Sequence, residues 1–171
     1  EAIISGNATV GVIIQINADD VVLDGLEITS GTGDLIESTI STPTSNTAIR
    51  NCIVHDSSGD EGIQLRSSTN PIIEKNYVFS VAQDAINVCC DSAGATIQYN
   101  EIHNVQSVNG AIYTYDNGAG GATFNISDNV LYTINTCDAI KIGLKNGDDY
   151  LEPGGTVARN RIFNVTHDGI T

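Results

Sequence analysis

The sequence predicts an all-β chain wound into a parallel solenoid of about six to seven coils, one domain over residues 1–171. Two observations predict it. Gly, Asn, Ser, Thr, Val and Ile dominate, Met and Trp are absent, and no window sustains a helical period of apolar residues. A unit of roughly 25–30 residues also recurs six times, and periods of 20–50 residues mark solenoids, propellers or arrays.

Taken in order, residues 2–16 cluster Ile3, Ile4, Val10, Val12, Ile14 and Ile16 between Gly and Asn turns and read as strands. The first full unit opens at Asp24, and later units open at Asn51, Asn76, Asn100, Asn129 and Asn160, a proposed structural ladder. Two places beyond each marker stands an apolar residue: Leu26, Ile53, Val78, Ile102, Leu131 and Ile162. A second strand follows in every unit, marked by Ile36, Ile63, Ile86, Ile112, Ile140 and Ile170. The segments 32–47, 116–122 and 145–156 read as loops between these strands.

Gly, Asn and β-branched residues exclude a helical array, and a propeller blade needs about 40 residues. Units of this size fit one coil of two or three short strands. Each strand bonds to its equivalent ~4.8 Å along the axis, so inward Ile, Val and Leu form columns that no coil buries alone. Asparagine tolerates the left-handed turn, and its amides stack in hydrogen-bonded rows.

The pattern Ala48-Ile49-Arg50-Asn51-Cys52-Ile53 with Glu61-Gly62-Ile63, repeated as above, resembles the right-handed parallel β-helix repeat over about residues 12–171. Pectate-lyase-like polysaccharide enzymes and many secreted surface proteins share it. The resemblance implies the fold, a right-handed parallel β-helix. It says less about function, because one fold serves catalytic and structural proteins alike. Pectin hydrolases of this fold use stacked carboxylates with Gly-His-Gly and Arg-x-Lys elements, and neither element occurs here. No catalytic residue is therefore assigned.

Charge narrows the partners. A net charge of −14 with only seven Lys plus Arg argues against nucleic acid and anionic membranes, and is a poor trap for a polyanionic glycan. It suits a solvated extracellular surface or one that meets divalent cations such as Ca²⁺. No run approaches the ~18 apolar residues of a membrane span. The chain opens on Glu1 without a secretion-signal pattern and reads as a mature product or a fragment.

Asp34, Glu61, Asp84, Asp138 and Asp168 each precede a second-strand isoleucine by two residues. Recurrence in nearly every coil reads as turn capping, since a catalytic site occurs once. Asp56, Asp60, Glu61, Asp148 and Asp149 are the candidate metal ligands, against a background of solvated loop charge. Tyr113 and Tyr115, two apart on one strand, are candidates for stacking on a sugar ring. His55, His103 and His167 fall at different offsets from their asparagines and read as separate surface or turn residues. Asn7, Asn125 and Asn164 sit in N-glycosylation acceptor triplets, a pattern this composition also produces by chance.

Cys52, Cys89, Cys90 and Cys137 lack zinc spacing and are read as disulfide candidates ahead of buried thiols. The ladder register turns Cys52 and Cys89 outward, where they could link neighbouring molecules, and Cys89–Cys90 could form a vicinal bridge. Both chain ends read as uncapped, which fits head-to-tail stacking and fits excision from a longer chain equally. The sequence thus favours a secreted or cell-surface structural β-solenoid that assembles with itself into a filament, sheath or layer. The alternatives are a piece of a polysaccharide lyase or hydrolase, or a glycan-binding module.

Overall fold

A computed structural model describes residues 2–7, 9–115, 123–143 and 154–171. Twenty-one short strands follow one another with no helix among the described residues. All strand pairs are parallel and join equivalent positions of successive coils. Three sheets run along the axis, with seven, six and six strands. The first sheet runs from Ala2–Ser5 to Arg161–Val165, the second from Ile14–Ile16 to Asp138–Gly143, and the third from Val22–Asp24 to Gly154–Ala158. A two-stranded patch, Thr44–Ser45 with Ser68–Thr69, squares one corner. About five turns are flanked by a neighbour on each side in the first sheet, slightly fewer than six to seven because the end turns have one neighbour each.

The isoleucine column of the second sheet is aligned as the spacing implied. Ile14, Ile36, Ile63, Ile86, Ile112 and Ile140 pair in sequence, and Ile170 bridges to Ile140. Those from Ile36 to Ile140 are fully buried in the continuous core. Each contributes about 1.5–3 kcal/mol by leaving water, which only the stacked coils can supply.

The asparagine register needs correction in its first two units. The inward column of the first sheet is Ile28, Val54, Val78, Ile102, Leu131 and Ile162, so Leu26 and Ile53 lie out of line with Val78. The ladder proper consists of Asn76, Asn100, Asn129 and Asn160. Oδ1 of each of the last three accepts from the backbone N–H and the side-chain amide of the preceding asparagine, at 2.9–3.0 Å. The equivalent place one coil before Asn76 is held by Cys52, whose N–H donates to Asn76 Oδ1 at 3.0 Å.

Asn51 instead takes the left-handed turn immediately before the ladder, at φ 53°. Gly25, Lys75, Tyr99, Asp128 and Arg159 do the same, with φ between 55° and 69°. Asp24 stands one residue earlier still. It accepts from Asn51 Nδ2 at 2.7 Å and Arg50 Nε at 3.0 Å on the exposed surface. Asparagine suits both a left-handed turn and an amide ladder, so the marker residues stand one place off the ladder at Asn51 and two at Asp24.

Candidate functional site

Two features of the outer surface gather polar chemistry. On the first sheet, the register shift brings together residues whose sequence offsets had separated them. His55, Phe79, His103, Tyr132 and Phe163 occupy one outward column. Their rings stack nearly parallel, with centroids 4.7, 5.2, 4.9 and 5.2 Å apart. Tyr77 lies against Phe79 and His103, with its hydroxyl 2.8 Å from His103 Nε2. Desolvation holds the His103 pKa below its ordinary value. His55 lies between Glu27 Oε1 at 3.2 Å and Asp56 Oδ2 at 2.9 Å. His167 belongs to a different, exposed turn. Most ring faces are spent on one another, so this column adds ring contacts between successive coils.

The second feature is the outer face of the second sheet, where polar side chains are unusually buried: Glu37, Gln64, Asn87 and Tyr113 form one column. Beside it runs the acidic column. Asp34, Asp84 and Asp138 bond from coil to coil. Asp34 Oδ1 accepts from the Glu61 N–H at 3.2 Å, and Asp138 accepts from the Asp168 N–H at 3.3 Å and Thr171 Oγ1 at 2.8 Å. Asp84 accepts from Ser107 Oγ and, at 2.8 Å, from Asn87 Nδ2.

One carboxylate oxygen each from Asp34, Asp60 and Glu61 lies within 4.8 Å of the others. Burial pushes Glu61 up to about 10, helped by Asp60 and Asp34. Burial likewise pushes Asp34 to about 7, with Glu37 and Asp60 adding to the rise while the Glu61 contact and Arg66 oppose it. Of the metal candidates, Asp60 and Glu61 are thus brought together, and Asp34, for which turn capping was the favoured reading, joins them. Its place in the acidic column was the signal. Asp56 is not part of the group: its carboxylate turns to His55 and is 57% exposed. Asp148 and Asp149 lie outside the described residues.

Tyr113 and Tyr115 do not offer open ring faces. Each is 6% exposed, their centroids are 4.8 Å apart, and they pack with Cys89 and Cys90 in a small second cluster. Lys141 Nζ lies 5.8 Å from the Tyr113 ring. This overturns the sugar-stacking expectation.

The cysteines differ too. All four are buried, and no disulfide joins them. Cys52 points inward to the core, its Sγ 3.2 Å from the Arg50 carbonyl oxygen. Cys137 is also a core residue. Cys89 does leave the core side of its strand, but neighbours cover it completely. Its Sγ is 2.8 Å from that of Cys90, too far for a covalent bond. The acceptor asparagines Asn7, Asn125 and Asn164 are all exposed.

A groove of about 420 Å³ runs along the corner where the first sheet turns toward the second. Ser57, Ser80, Asn104, Gln106 and Asn135, from successive coils, line it with hydroxyls and amides.

These columns and a continuous parallel register define a β-solenoid. A family model described as "right handed beta helix region" matches residues 1–150, and the chain belongs to that family. A search of curated protein sequences finds no match. Among solved structures, the chain is similar to PfbA, a surface adhesin of Streptococcus pneumoniae, at 10% identity and a TM-score of 0.46. That similarity covers 94% of this chain but only 59% of the adhesin chain. Among the described residues no helix is long and apolar enough to cross a membrane.

Proposed function

We propose that this chain is a rigid structural module of a secreted or cell-surface protein, joining end to end with copies of itself. The carrying observation is the continuity of the asparagine, isoleucine and aromatic columns along the axis, which makes each coil edge a template for the next. The acidic surface supports an extracellular setting by keeping the rod solvated. Light scattering on residues 1–171, followed by electron microscopy of large species, tests the assembly. Regular polymers are expected, unchanged by reductant because the thiols are buried. A monodisperse monomer at all concentrations overturns end-to-end joining.

A second reading, a module that binds or cleaves glycans, is favoured by the groove of Ser57, Ser80, Asn104, Gln106 and Asn135. Its hydroxyls and amides suit neutral sugars better than uronates. Screening neutral and acidic oligosaccharides for binding and cleavage separates this reading from the first.

A further inference from the structure

We propose that Asp34, Asp60 and Glu61 form a binding site for a hard divalent cation of the calcium class, clamping the second coil to the third. The three residues come from turns that stack directly: the Glu61 N–H donates to Asp34 Oδ1, and the Leu35 N–H donates to the Glu61 carbonyl at 3.1 Å. An ion between them therefore ties coil to coil.

Geometry comes first. Calcium holds oxygens at about 2.3–2.6 Å, so two ligands of one ion stand at most about 5 Å apart. The three carboxylate oxygens lie within 4.8 Å of one another, inside that limit.

Burial supplies an independent reason. Glu61 is 6% exposed and Asp34 3%. Glu61 Oε2 is fully buried and accepts no hydrogen bond, which is costly for a polar atom and more so for a charged one. On the same outer face, Gln64 Oε1 and Asn87 Oδ1 are buried without a donor as well. A bound cation would satisfy Glu61 Oε2, which the neighbouring carboxylates cannot.

The protein's own cations do not correct it. Arg66 makes its ion pair with Glu37, at 3.8 Å. Asp60 Oδ1 receives only a neutral amide, Gln83 Nε2, at 3.0 Å. None of the three acids forms an ion pair among the described residues.

Ligand chemistry selects the ion. Three carboxylates with no imidazole or thiolate favour calcium over zinc. An irregular set drawn from two coils suits calcium's flexible coordination better than the strict octahedron of magnesium.

The test is thermal unfolding and isothermal titration of residues 1–171 with calcium chloride, against chelator and against magnesium. Calcium is expected to raise the unfolding temperature with one site per chain, and magnesium to do so more weakly. Glu61→Gln keeps the side-chain shape and replaces the carboxylate with a neutral amide. In chelator it is expected to unfold at or above the wild-type temperature, because a neutral amide suits the buried position without an ion, and in calcium to lose the increment. That reversal of order separates a lost site from a damaged fold. Asp60→Asn should lower calcium affinity at least ~10-fold, while Asp56→Asn, outside the group, should leave it unchanged. Three results would each overturn the site: no calcium-dependent shift at millimolar ion, a shift retained by Glu61→Gln, or an equal loss in Asp56→Asn.

Discussion

The backbone N–H of Cys52 donates to Oδ1 of Asn76 at 3.0 Å, the bond that Asn76 in turn makes to Asn100. A cysteine thus stands where the ladder calls for an asparagine. Its sulfur reaches toward the Leu23 carbonyl at 3.7 Å, where an amide would donate a full hydrogen bond, as Asn76 does to Ile49 at 2.9 Å. Cys52→Asn is therefore expected to extend the ladder by one coil and stabilise the protein by about 1 kcal/mol. Urea unfolding of both proteins measures it. A loss above ~1 kcal/mol would show that the site cannot hold the amide.

Removing a ladder member has the opposite sign. Asn100 Oδ1 accepts from Asn76 N and Nδ2, and its own amide donates to the Ile73 carbonyl. Asn100→Ala leaves buried backbone groups without partners and is expected to cost about 2–4 kcal/mol. Asn51→Ala is expected to cost only ~1 kcal/mol, because exposed Asn51 contributes its tolerance of φ 53° and one surface bond to Asp24. Equal losses in the two variants would restore Asn51 to the ladder.

That pair marks how far the sequence could be read. The isoleucine column was legible because its spacing follows the inward face and nothing else fills those positions. The acidic column was legible because it keeps a fixed two-residue offset from those isoleucines, and it placed Asp34 and Glu61 in line. The asparagine column was ambiguous at Asp24 and Asn51, since the left-handed turn and the ladder are adjacent and both accept asparagine. One residue of slip then hid the alignment of His55 with His103 and turned Cys52 outward. The burial of Tyr113 and Tyr115 depends on what packs over the sheet, which strand alternation does not encode.

Thiol chemistry gives a third expectation. Cys52 and Cys137 are core residues, and burial pushes the Cys137 thiol up to about 12, with Asp84 and Asp138 adding to it. Burial also raises Cys52, and Cys89 rises through its contact with Cys90 and through burial. Because the thiolate is the reactive species, labelling by a disulfide reagent near pH 8 is expected to follow the rate of unfolding. Fast stoichiometric labelling of the folded protein would contradict the burial of these residues.

Asp84 provides a test in pH. It is fully buried, and desolvation raises its pKa above 3.8 although Ser107, Asn87, the Gly110 N–H and Asn109 pull it down. A carboxyl whose folded pKa is raised binds its proton more tightly in the native state. Its contribution to stability is present in full below the unfolded value of 3.8, and is lost as pH rises through the higher folded value. Asp84→Asn removes this dependence. Asn87 Oδ1 now lacks a donor, and a flip of the Asn87 amide lets it accept from the new side chain. The variant is therefore expected to fold, and its stability relative to wild type should grow from about pH 4 upward. Urea unfolding of both proteins across that range measures the difference. Parallel curves would mean that the hydrogen bonds to Asp84 fully offset its burial.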